Sequence, residues 1–258
     1  MISRAMVSAA VLCAVVWPIG VEGNGIAWAQ EIEQKAVAKQ AQAISWGSVS
    51  QLFLEAYRSY HRAKTSDSLS VQSEAYADAI RDISKACALE PQNAESLLLA
   101  AQIYRSKGGS SYAKDYFSRA EKILRERMEA APNDAHANLD YAIACLAGEG
   151  HFSKEYQKQG KKALAKVIRL CELELTSRTP HGGLVRALGI AYLLKGETDK
   201  CESIFAKAAT LGTTSKFYYE LYEDTVKKGM WIWPVGTDGA VREFCMYCLL
   251  DVGRNYGE

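Results

Sequence analysis

From residue 30 onward, apolar side chains recur three and four positions apart through long stretches rich in Ala, Leu, Glu, Lys and Arg. That is the helical period, and without an alternating Val/Ile run to suggest strands it predicts an all-α fold. Two stretches depart from the pattern. Residues 5–17 are an unbroken apolar run preceded by Arg4 and stopped by Pro18. Residues 229–234, Gly-Met-Trp-Ile-Trp-Pro, interrupt the period before a last helical stretch at 240–252.

The N-terminal run has the order of a secretory signal: a positive start, an apolar core and the small-residue box Ala27-Trp28-Ala29. Its 13 residues fall short of the roughly 20 needed to cross a bilayer core. We therefore expect cleavage after Ala29, an exported mature chain of 229 residues, periplasmic more than fully secreted, and no membrane span after cleavage. Residues 30–48 are then a lead-in, either a short helix or a segment that orders on binding.

Within the body the same landmarks return. Leu97, Ala100-Ala101, Tyr104, Ala113, Phe117 and Ala120 have counterparts 88 residues on in Val185, Leu188-Gly189, Tyr192, Cys201, Phe205 and Ala208. Ala79, Ile83 and Ala86 recur 34 residues on as Ala113, Phe117 and Ala120, while Pro91 and Pro132 each lie 13 before Tyr104 and Cys145. The pattern resembles the tetratricopeptide repeat, a 34-residue helix-turn-helix unit. The resemblance covers 49–228 as about four units and implies an α-solenoid, with residues 229–258 as a C-terminal capping segment. Small residues such as Ala101 and Gly189 are expected where the second helix of a unit crosses the first, and Tyr104, Phe117, Tyr192 and Phe205 fill the space between. Departures from the repeat are a serine-rich loop expected at 64–72, a second unit extended through 121–130, and an overlong helix at 153–177.

Composition narrows the function classes. Lys and Arg total 31 against 30 Asp and Glu, so a net charge of +1 gives no bulk attraction to nucleic acid. Six of the seven cysteines follow residue 29: Cys87, Cys145, Cys171, Cys201, Cys245 and Cys248. In an exported chain they permit disulfides, yet Cys145 and Cys201 stand at packing positions of the repeat, where a Cys behaves as a small hydrophobe. Cys245-Met-Tyr-Cys248 is open to four readings: a disulfide or an inert packing pair, a bond from one of them to a Cys elsewhere, redox function, or metal. The redox reading lacks a preceding strand, and the metal reading lacks a second pair of ligands.

Other chemistry is weaker. His151 and Glu155 share a helix face but reach no ligand set, and Lys107-Gly108-Gly109-Ser110-Ser111 follows a helix rather than a strand, so it predicts a tight turn rather than a phosphate loop. Trp231-Ile232-Trp233 is either an aromatic anchor or cover for the end of the core. With no nucleophile motif and no cofactor fingerprint, the sequence predicts no enzyme and no cofactor.

The resemblance implies a concave face that binds an extended peptide or a partner helix. Helical spacing places Leu98, Gln102 and Arg105, then Leu139, Ile143 and Leu146, then Arg186, Ile190 and Leu193, on the face beside the packing residues. The alternative is that the apolar members are core between units. Leu98 and Gln102 stand where the carboxylate-clamp subfamily has charged and amide groups, so a chaperone-tail function is not expected. The expected function is an exported scaffold for a protein or peptide partner; the alternative is a transport accessory that accompanies a solute-binding protein or encloses a small ligand.

Overall fold

A computed structural model describes residues 49–177, 182–210, 219–220, 222–227 and 237–250. All of them belong to one compact unit, Gly47–Glu258. The expected signal sequence, the lead-in and Trp231-Ile232-Trp233 lie outside the described residues.

Among the described residues the chain is helical, with no strand. Helix α1 spans 49–65 and buries Val49, Phe53, Ala56, Tyr60 and Ala63, a spacing of three and four that makes one apolar stripe. It is followed by α2, Leu69–Leu89. The loop expected at 64–72 is thus only 66–68, because its serines and glutamine close the turn. Ser68 N–H donates to Ser66 Oγ at 3.2 Å, and Gln72 Nε2 donates to the Ser66 carbonyl at 2.6 Å.

Helix α3, Ala94–Ser106, starts at Asn93, whose side chain accepts from Ser96 N–H at 2.8 Å. Such a cap satisfies one of the orphan donors of the first turn. Asp134 does the same for α5, Ala135–Leu146, accepting from His136 N–H at 2.8 Å. Between them, Gly108 at φ 91° makes the tight turn expected from its sequence and leads into α4, Ser110–Ala130. A short 3₁₀ turn, Glu149–Phe152, precedes α6, Lys154–Ser177, which is the overlong helix expected at 153–177. Helices α7, Gly182–Lys195, and α8, Thr198–Ala209, come next. A π turn, Glu223–Lys227, and the last helix α9, Thr237–Leu250, complete the described chain.

The helices pack as sequence neighbours, most extensively α3 with α4, α5 with α6 and α7 with α8. Close approach demands small residues, expected at Gly189 and found at Gly160 as well. A Cβ on Gly189 would stand 3.1 Å from the Phe205 ring, and one on Gly160 would stand 2.7 Å from Cys145 Cβ.

The two members of a pair are buried differently. In α4 the buried residues are Ala113, Phe117, Ala120, Glu121 and Leu124, a single stripe. In α7 burial runs almost without a break from Leu184 to Leu193, and in α3 from Ser96 to Ala101. A helix that is apolar on all sides must be covered on all sides. The second helix of the pair covers one side only.

Candidate functional site

The other sides are closed by the preceding helices, α2 on α3, α4 on α5 and α6 on α7, and by α9. This last helix packs against α3, α5 and α7 together, the first helices of three successive pairs, and against the π turn at 223–227. Phe244, Cys245, Met246, Cys248, Leu249 and Leu250 are all buried, in one cluster with Leu98, Leu139, Ile143 and Ile190. Met246 marks the closeness of the fit: its Sδ lies 3.3 Å from where a Cβ on Gly148 would stand. Phe244 packs edge-on to Phe205 of α8 and to Tyr222, with both ring centroids 6.0 Å away. The C-terminal helix expected to cap the end of the stack is therefore present as a helix, but it lies across three pairs.

That placement decides how the expected face is used. Leu98, at 1% exposure, and Leu139, Ile143 and Ile190 are core residues, so they offer no open surface while α9 is in place. Gln102, Arg105 and Arg186 are half-buried. The Arg105 guanidinium lies 4.8 Å from the centroid of the Phe152 ring, a cation–π contact, and Phe152 itself is 63% exposed. Arg105 and Phe152 come together because the 3₁₀ turn at 149–152 packs on α3.

All six described cysteines are buried thiols outside any disulfide. In an α-helix, side chains three apart have Cβ atoms about 5–6 Å apart, whereas a disulfide wants about 3.5–4.5 Å. Cys245 and Cys248, three apart on α9, both stand as thiols. Burial pushes the Cys87 thiol up to about 11 and those of Cys145, Cys171 and Cys201 to about 12. Burial, with Cys248 and Cys201 nearby, raises the completely enclosed Cys245 well above the ordinary 9.0. Such thiols stay protonated at neutral pH and are poor nucleophiles and poor metal ligands. Among the described residues no cluster of His, Cys, Asp or Glu could hold a metal. The His151 side chain lies outside the described residues.

Two polar contacts between helices escaped the sequence reading. The Tyr192 hydroxyl on α7 donates to Glu172 Oε1 on α6 at 2.5 Å. Tyr141 on α5 reaches the buried Glu121 of α4 at 3.1 Å and Gln159 of α6 at 2.5 Å. Its single hydroxyl hydrogen serves one of these acceptors at a time. Arg125 Nε, 3.3 Å from Glu121 Oε1, supplies the carboxylate with a charge partner. The signal that could have found both is a Glu twenty residues before a Tyr, present at 121/141 and again at 172/192.

A shallow depression of about 400 Å³ lies at the turn between α7 and α8, lined by Gly196, Glu197, Thr198, Asp199 and Lys200. Glu197 there is already engaged by Lys195 at 2.6 Å and Lys200 at 2.9 Å. Among the described residues no helix is long and apolar enough to cross a membrane. Compared with protein-family models and with curated proteins, the chain matches none.

Proposed function

We propose that this protein is an exported helical-repeat scaffold of tetratricopeptide type that binds another protein through the face built by α3, α5 and α7. One observation carries the reading: that face takes up a helix, since α9 lies across all three. The 88-residue offset between landmark residues supports the repeat, and the run at 5–17 supports export. The chemistry of the face is apolar contact, with Gln102, Arg105 and Arg186 at half-buried positions where a polar flank of the partner is met.

The test is crosslinking in the native compartment, with partners recovered in parallel from the native chain and from an R105E/R186E variant. Loss of the recovered partner in the variant is the expected result. Undiminished recovery of every partner removes the α3–α5–α7 face from the function.

A further inference from the structure

We infer that α9 is an intramolecular stand-in for the partner: it occupies the helix-accepting face of α3, α5 and α7, and a partner helix gains that face by displacing it. The inference rests on the function just proposed and specifies how that site is regulated.

Three features of the packing lead to it. First, α9 breaks the order of the chain. Each earlier helix packs chiefly on its neighbour in sequence, whereas α9 passes back over α7 and α5 to reach α3. A helix that merely continued the stack would end on the α7–α8 pair. One that crosses three successive pairs lies as a bound helical ligand lies in an apolar groove.

Second, α3 and α5 start and pair through contacts that α9 does not make. Phe117 of α4 packs edge-on to Tyr156 of α6 at 5.1 Å, and Phe205 of α8 lies against Gly189 of α7 as well as against Phe244 of α9. Asn93 and Asp134 cap α3 and α5 from their own turns. The starts of α3 and α5 are therefore satisfied locally. What α9 supplies is cover for the exposed sides of α3, α5 and α7.

Third, the contact has the chemistry of an exchangeable helix. The buried described side chains of α9 are Phe, Cys, Met and Leu, with half-buried Val241 packed beside them. The partner class follows: an amphipathic helix presenting large apolar side chains, with Met tolerated.

The stand-in sets the binding strength. If α9 is off the face one time in a hundred, a partner binds about 100-fold more weakly than it would to an open face. Weakening α9 should return part of that factor.

The experiment begins with the native full-length chain. Hydrogen exchange is expected to show the α9 amides opening as one block at least tenfold faster than those of α5. Exchange of α9 only at the rate of α5 makes it permanent core and overturns the inference. A labelled synthetic peptide of residues 237–250 then serves as the probe. It is expected to bind the full-length Met246→Lys variant, or Met246→Ala if the lysine variant loses its cooperative melt, at least tenfold more tightly than the native chain. Equal binding, or binding to neither while the variant melts cooperatively, also overturns it. A crosslinked native partner that binds the native and Met246 variants equally removes the stand-in while leaving protein binding intact, so the two proposals fail separately.

Discussion

The Tyr192 hydroxyl donates to Glu172 Oε1 at 2.5 Å, joining α7 to α6. Burial and this bond lift the tyrosine to about 12, above its ordinary 10.0. A pKa raised in the folded state favours the neutral form, so its contribution is complete below pH 10 and is lost as pH rises through about 12. The buried thiols, ordinarily at 9.0 and raised to about 11 for Cys87, add losses of the same sign that begin near pH 9. Stability should therefore fall steadily above pH 9. Tyr192→Phe should cost about 1.5 kcal/mol at neutral pH, the low end for a bond to a charged group. It should also flatten the loss between pH 10 and 12, as read from urea midpoints at each pH.

Gly160 and Gly189 test the helix crossings. Alanine is ordinarily about 1 kcal/mol better than glycine inside a helix. At Gly160 the new methyl would stand 2.7 Å from Cys145 Cβ and 2.8 Å from Leu146 Cγ, an overlap that costs about 1–3 kcal/mol. Gly160→Ala is expected to lower the melting temperature, at about 2–4 °C per kcal/mol for a chain of this size. Gly189→Ala, at 3.1 Å from the edge of a single ring, is expected to do less harm. An increase in melting temperature at Gly160 would show that α5 and α6 are farther apart than described.

Phe205 ties the end of the molecule together. Its ring stacks on Tyr222 at 5.2 Å and meets Phe244 at 6.0 Å. Phe205→Ala should cost about 3–5 kcal/mol. Because the lost contacts reach α9, hydrogen exchange should rise more in α8 and α9 than in α3 and α4. A uniform rise would mean that the aromatic cluster has no local role in holding the last helix.

The thiols give a direct chemical count. Alkylation of the native chain should leave Cys87, Cys145, Cys171, Cys201, Cys245 and Cys248 unmodified on the timescale that labels an exposed thiol. Alkylation in denaturant without reductant should label all six, as mapped by peptide mass. Failure of any two to react in denaturant would reveal a disulfide and change the account of how α9 is held.

Much of the local architecture is legible in the residue order, because it depends on contacts a few positions apart. The three-and-four spacing of Val49, Phe53, Ala56 and Tyr60 makes a helix with one buried stripe, and Gly108 marks a turn, whereas the caps at Asn93 and Asp134 appear only in the structure. The serine-rich stretch at 64–72 misled because Ser and Gln suit both a loop and a cap. Only their bonds in three dimensions make it a three-residue turn. The small residue at Gly189 was likewise legible, as a landmark of the 88-residue offset.

The candidate face was legible only as a list of residues. Leu98, Leu139, Ile143 and Ile190 were placed on one side of their helices by spacing, which does not say whether that side is open or covered. Part of the cover comes from α9, whose Met246 stands 148 residues after Leu98, and periodicity carries no information about which distant helix satisfies an apolar surface. Residue order thus settled the helices, the turn at Gly108 and the small residue at Gly189, all short-range matters. Tertiary packing alone decided that α9 lies across α3, α5 and α7, because burying apolar area is non-directional and the nearest complementary surface in space takes the place.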